Sequence, residues 1–165
     1  MGVLKQALGA LHQYERRVIR RQGVNATDLG TGLDYNIFTV TSGVRIHAMF
    51  GHVTTVIGAT ANLIFLAHTP TVTGAAVPLC AASATIATDA VDTLYVWPGT
   101  IAGQLIPSTN VGQATANLMN WVGNTILLVP GVISVDVGAA GANTGEIDWY
   151  ILYEPCFAGA EITVI

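Results

Sequence analysis

From Ile46 to Thr88 the chain carries no Asp, Glu, Lys or Arg. An uncharged stretch of that length raises the question of a membrane span. Gly, Thr, His and Pro interrupt it, however, and no apolar run reaches the roughly 18 residues that a spanning helix needs. An outer-membrane barrel would require an export signal and alternating polar lumen positions, neither of which is evident. What the stretch does contain is strand-length groups of β-branched and aromatic residues bounded by turn formers, the pattern of a pleated, half-buried surface.

The segment Asn36 to Ile57 is the clearest of these. It reads as a β-hairpin turning at Ser42-Gly43, with Gly51 marking a bulge or bend in the long second arm. Further strands are expected at Ala61 to His68, Ala84 to Ala87, Thr93 to Trp97, Ile101 to Ile106, Thr125 to Val129, Val132 to Val137, Glu146 to Tyr153 and Glu161 to Ile165, with a loop around Pro70 to Gly74 and a short segment Val77 to Cys80 after the first of them. Prolines 70, 78, 98, 107, 130 and 155 fall near strand ends, where a missing N–H is tolerated. Asn110 to Asn124 fits neither period. Short strands at this spacing predict an all-β fold, a β-sandwich or jelly roll over residues 35–165.

Charge distribution sets the remaining segments apart. Charged residues make up 10% of the chain, against roughly 25% in an ordinary soluble domain. So few charges would do little to keep free monomers apart, which predicts an oligomer or a docked subunit. Lys5, Arg16, Arg17, Arg20 and Arg21 stand against Glu15 alone in the first 21 positions, a net charge of +4. Residues 22–165 set Arg45 against nine acids, a net charge of −8. The acidic body has almost no cations to neutralise phosphates, so it is not a nucleic-acid binder; the basic arm stays a candidate for one.

The arm, residues 1–22, reads as an amphipathic helix. Val3, Leu4, Ala7, Leu8, Leu11, Tyr14 and Val18 form one apolar stripe, and the cations fall largely away from it. Its stripe could pack on its own domain or on symmetry mates, the arm could reach an acidic partner surface, or it could lie on a membrane. Residues 23–34, rich in Gly, Asn, Thr and Asp, read as a linker. The cations follow the apolar positions instead of preceding them, so the segment lacks the order of a secretory signal, and cytoplasmic synthesis is expected. Lys5, Arg16, Arg17, Arg20, Arg21 and Arg45 are the candidate interaction residues. Arg45 is the only charge in the Asn36–Ile57 stretch, so both faces of that stretch are expected to meet protein.

Catalytic and metal-binding signatures are missing. His47 and His52 are five apart, and in an unbroken strand they point to opposite faces; they converge only if Gly51 hosts a bulge. There is no His-x-His pair, and no Glu lies between Glu15 and Glu146. His12 and His68 do not complete a ligand set. No Ser lies in Gly-x-Ser-x-Gly, and Cys80 and Cys156 are read as two small buried thiols in preference to a disulfide. Val132–Val137 and Glu146–Tyr153 are expected to form a hairpin across Gly138–Gly145. Burial of Ile147, Trp149, Ile151 and Tyr153 would then leave Asp136, Glu146 and Asp148 together on a solvated outer face, with a calcium-type site as the alternative. The expectation is a protein with no catalytic residues, cofactor or metal, and not an enzyme.

The runs Ile37-Phe-Thr-Val-Thr-Ser-Gly-Val-Arg-Ile46 and Phe50-Gly-His-Val-Thr-Thr55, then Leu79-Cys-Ala-Ala82, Leu94-Tyr95 and Gly145-Glu-Ile-Asp-Trp-Tyr150, resemble small structural proteins of tailed bacteriophages. The resemblance spans Asn36 to Tyr153 and leaves the basic arm unmatched. It implies a virion component made in the host cytoplasm, a decoration or cement protein on the capsid lattice. Such proteins are often homotrimers, and the partner here would be the major capsid protein. A tail or fibre component is the alternative in the same setting, and a carbohydrate- or ligand-binding jelly roll the alternative outside it.

Overall fold

The computed structural model describes residues 17–25, 34–105, 125–138 and 143–165. They form two antiparallel sheets packed as a β-sandwich. One sheet has the order β1 (Arg17–Asn25), β9 (Glu146–Pro155), β3 (Val44–Thr55), β6 (Leu94–Val96), with β7 (Ile126–Leu128) also paired to β3. The other runs β10 (Ile162–Val164), β2 (Tyr35–Val40), β8 (Gly131–Val137), β4 (Ile64–Pro70), β5 (Val77–Pro78). We refer to them as the β9 sheet and the β8 sheet.

Alternation along the strands builds the core between them. Ile37, Val40, Ile64, Leu66, Ile133 and Val135 of the β8 sheet meet Val44, Ile46, Met49, Val53, Ile147, Trp149, Ile151 and Tyr153 of the β9 sheet, all buried. At about 25 cal/mol per Å² of apolar surface removed from water, this layer is the main stabilising term of the fold. Polar groups that enter it are tied down: Trp97 Nε1 donates to the Leu79 carbonyl at 2.8 Å, and the Ile162 amide donates to the Tyr153 hydroxyl at 3.3 Å.

Several sequence expectations change here. Residues 1–16 of the expected helical arm lie outside the described residues. Arg17–Asn25 is not the end of a helix leading into a linker; it is strand β1, paired antiparallel to β9 from Arg17↔Tyr153 to Asn25↔Glu146. The open edge of a ten-residue strand supplied backbone partners that outweighed a helical reading of residues 17–22. The sandwich therefore begins before residue 35.

The Asn36–Ile57 hairpin does not form either. β2 and β3 lie in different sheets, and Thr41–Gly43 is an arch between them, held by Thr41 N–H to Glu161 O and Cys156 N–H to Gly43 O, both 3.0 Å. The β8–β9 pair likewise divides between the sheets instead of closing a hairpin. The chain changes sheet at nearly every connection, and Ser-Gly or Gly-rich turn chemistry serves an arch as readily as a hairpin.

Gly51 hosts no bulge. The register of β3 against β9 shifts at Ile46/Ala48 and Val53/Thr55 instead. Ala84–Ala87 and Ile101–Leu105 are not strands. Their apolar signal comes from burial, as Ile86 and Leu105 are fully enclosed in loops.

Candidate interaction surface

The outer face of the β9 sheet is built by the residues that alternate with its core positions. In β9, placing Ile147, Trp149, Ile151 and Tyr153 inward turns Tyr150, Leu152 and Glu154 outward. Register then sets their neighbours: Leu152 lies between Val18 of β1 and Ala48 of β3, Tyr150 opposite Phe50, and Glu154 opposite Arg45, which in turn faces Leu127 of β7. The rings of Phe50 and Tyr150 stack with centroids 4.7 Å apart and planes 8° apart.

Val18 is 64% exposed and Leu127 60% exposed, while Phe50, Tyr150 and Leu152 are half-buried. Beyond them Phe157, also 60% exposed, lies over Gly43, where an added Cβ would stand 2.5 Å from its ring. The result is an apolar and aromatic face over β1, β9 and β3, with Leu127 of β7 standing beyond the row of Arg45 and Glu154. Scattered exposed apolar residues need no explanation, but a contiguous set with a polar rim is the usual form of a contact surface.

The charges on this face are mutually engaged. Arg45, half-exposed, holds a guanidinium nitrogen 3.8 Å from Glu154 Oε2, and His47 Nε2 lies 3.1 Å from the same oxygen. At the far end His52 Nε2 lies 2.9 Å from Asp92 Oδ1. His47 and His52 thus serve different carboxylates. No group of three or more His, Cys, Asp or Glu side chains that could hold a metal ion occurs among the described residues.

Of the candidate interaction residues, Lys5 and Arg16 lie outside the described residues. Arg17 is exposed at the start of β1 and lines a hollow of about 100 Å³ with Pro155, Phe157, Gly159, Ala160 and Glu161. Arg20 and Arg21 take β1 positions opposite Tyr150 and Trp149. Arg45 lies on the outer face of β3, between Glu154 and Leu127. The expected carboxylate face is corrected in part: Asp136 belongs to the β8 sheet and is separated from the other two, whereas Asp148 and Glu146 alternate to the same side of β9, with Asp148 buried instead of solvated. Asp136 accepts from Ser134 Oγ at 2.6 Å. Burial raises its pKa above the usual carboxylate range, Ser134 opposes the rise and the neighbouring Asp34 adds to it.

The interior also holds polar groups. The Tyr95 hydroxyl donates to Asp89 Oδ2, and burial raises the pKa of both groups. Asp89 Oδ1, Thr93 Oγ1 and His68 Nε2 have no hydrogen-bond partner among the described residues. Burial lowers the pKa of His68, against a backbone hydrogen bond at Val129 that raises it. Cys80 and Cys156 are not bonded to each other; Cys80 is buried, and Cys156 is only partly so.

Sequence reasoning missed Phe50, Tyr150, Leu152, Val18 and Leu127 as surface residues. The signal lies in β9: the alternation that turns Ile147, Trp149, Ile151 and Tyr153 inward also turns Tyr150 and Leu152 outward.

Among the described residues no helix is long and apolar enough to cross a membrane. No family model matches the chain, and no curated protein does. Among solved structures it is similar to a chain in the structure of infectious bursal disease virus Gx strain, with 14% identity and a TM-score of 0.27 over 91% of this chain and 39% of that one. The chain thus spans about two fifths of that protein's length, and a likeness at this level carries no argument.

Proposed function

We propose that this chain is a structural virion protein that decorates or cements a phage capsid, acting without catalysis and through oligomeric contacts. The observation that carries the reading is the apolar outer face of the β9 sheet, Val18, Leu152, Tyr150, Phe50 and Leu127, on a chain with only 10% charged residues. The resemblance of Asn36–Tyr153 to small structural proteins of tailed phages supports it.

The role would be mechanical. Burying apolar and Thr-rich surface against the major capsid protein and against copies of itself adds contact area across lattice boundaries. Each buried aromatic or aliphatic side chain contributes roughly 1.5–3 kcal/mol. Repeated over a lattice, such increments raise the force needed to separate capsomers. Arg45 and Glu154, already paired, would enter such a contact with little net charge to desolvate.

The test is co-sedimentation with capsids lacking the protein, together with light scattering to give its oligomeric state, the trimer being expected. Phe50→Asp and Tyr150→Asp should abolish sedimentation with capsids while the variants keep the parental circular dichroism. A strict monomer that leaves capsids unbound would sink the proposal.

A further inference from the structure

We propose that Asp34 and Asp136 form a proton-operated latch that fastens the first residues of β2 to β8. Tyr35 pairs with Val135 and Asn36 with Ser134, so the next position outward sets Asp34 against Asp136, and the two carboxyl groups meet there. Asp34 is exposed, whereas Asp136 is buried on the outer side of the β8 sheet. Carboxylates directly opposite each other on paired strands repel unless one carries a proton or a cation lies between them.

This end of β2 depends on such a tie. The register of β2 on β8 shifts between Asn36 and Phe38, which leaves only two pairs, Tyr35 with Val135 and Asn36 with Ser134, beyond the irregularity. On the other side β10 pairs with β2 from Phe38 to Val40, and the Ile165 amide reaches the Ile37 carbonyl at 3.3 Å. Among the described residues, Tyr35 and Asn36 are therefore paired as a strand on one side only. A short stretch of ladder cut off by a bulge opens locally at little cost, so the side chains at its end decide whether it stays down.

The surroundings favour a proton over a metal ion. Asp136 Oδ1 accepts from Ser134 Oγ at 2.6 Å, which leaves its other oxygen to carry the proton and donate it to the Asp34 carboxylate. From β4, Phe65 stands opposite Asp136 and Ala67 opposite Ser134, while His68 lies opposite Ile133 and faces the core. None of β2, β4, β5, β8 and β10 contains Lys or Arg, so these strands offer no cation to neutralise the pair. Nor does any third His, Cys, Asp or Glu among the described residues complete a metal site with them. Protonated Asp136 is thus the form that the fold favours. Its contribution is complete below 3.8 and is lost as pH rises through the folded value, so the latch is closed in acid and opens on ionisation.

The test is an NMR titration of the full-length chain that follows the Asp136 carboxyl carbon and the exchange of the Asn36 amide, corrected for the intrinsic rate at each pH. Protection of Asn36 should fall several-fold as Asp136 ionises, while that of Leu66 in the centre of the sheet holds. Asp136→Asn donates to Asp34 and accepts from Ser134 with no proton to lose, so it should keep Asn36 protected at every pH. Asp34→Ala, at an exposed position, should lower the Asp136 midpoint and leave Asn36 poorly protected throughout. A midpoint that Asp34→Ala leaves in place overturns the proposal, and so does Asn36 protection in the parent that ignores the ionisation of Asp136. A midpoint that moves when a chelator is added also overturns it, since that result assigns a cation to the pair.

Discussion

The rings of Tyr95 and Trp149 stack across Gly51, with centroids 6.5 Å apart and planes inclined by 21°. Tyr95 sits on β6 and Trp149 on β9, each directly opposite Gly51 in the strand between them. A side chain at position 51 would occupy the space that lets the two largest fully buried side chains meet. The glycine serves close approach and not a bend in the strand.

Gly51→Ala should therefore destabilise the fold. Its Cβ would stand 2.9 Å from Ile147 Cγ2 and 3.0 Å from the Trp149 ring. Overpacking of this kind costs about 1–3 kcal/mol, measurable as a fall in the urea midpoint at unchanged slope. A midpoint equal to the parent's would show that the rings can separate freely.

Gly131→Ala should cost more than Gly51→Ala. At the start of β8 the new Cβ would run into the Thr69 carbonyl oxygen and lie 2.9 Å from Pro70 Cα, backbone atoms fixed by the β4–β8 ladder. Side chains can turn aside, whereas paired backbone cannot. Paired denaturation curves of the two variants give the order directly.

Asp89 makes stability depend on pH. Its folded-state pKa is raised above 3.8, chiefly by burial, so the fold favours the protonated carboxyl. That contribution is complete below 3.8 and is lost as pH rises through the folded value. Asp89→Asn keeps an acceptor for the Tyr95 hydroxyl and removes the charge. The variant should melt above the parent at neutral pH, and the gap should close on acidification. A gap independent of pH would assign the difference to packing.

His68 acts in the opposite direction. Burial lowers its pKa below 6.5, so the fold favours the neutral ring, and its contribution, present above 6.5, is lost as pH falls through the folded value. In the parent, acidification below 6.5 should therefore bring a loss from His68 that a His68→Gln variant does not show, read as the difference between their melting curves over that range.

The two cysteines should differ in reactivity. Cys80 is buried, and burial pushes its thiol up to about 11, while its sulfur accepts from the Leu66 amide at 3.4 Å. The thiolate is the reactive form. Native alkylation followed by mass spectrometry should label Cys156 and spare Cys80 until the protein is denatured. Equal labelling in the native state would show that this part of the β8 sheet opens readily.

What the sequence determined by itself was what each segment can bury. Alternation in Glu146–Tyr153 placed Ile147, Trp149, Ile151 and Tyr153 inward, and prolines marked the strand ends. These are local properties, written in the two-residue period and in the cost of an unpaired N–H. Pairing was decided only by the tertiary structure. Ser42-Gly43 could close a hairpin or arch between sheets, and the choice rested on Cys156, Glu161 and Phe157, more than a hundred residues away. Arg17–Asn25 became a strand because β9 offered it an edge. Asp136 and Asp148, expected side by side, were buried in separate sheets for the same reason. A strand's partners depend on which distant edges are open, and the residues within the strand do not record them.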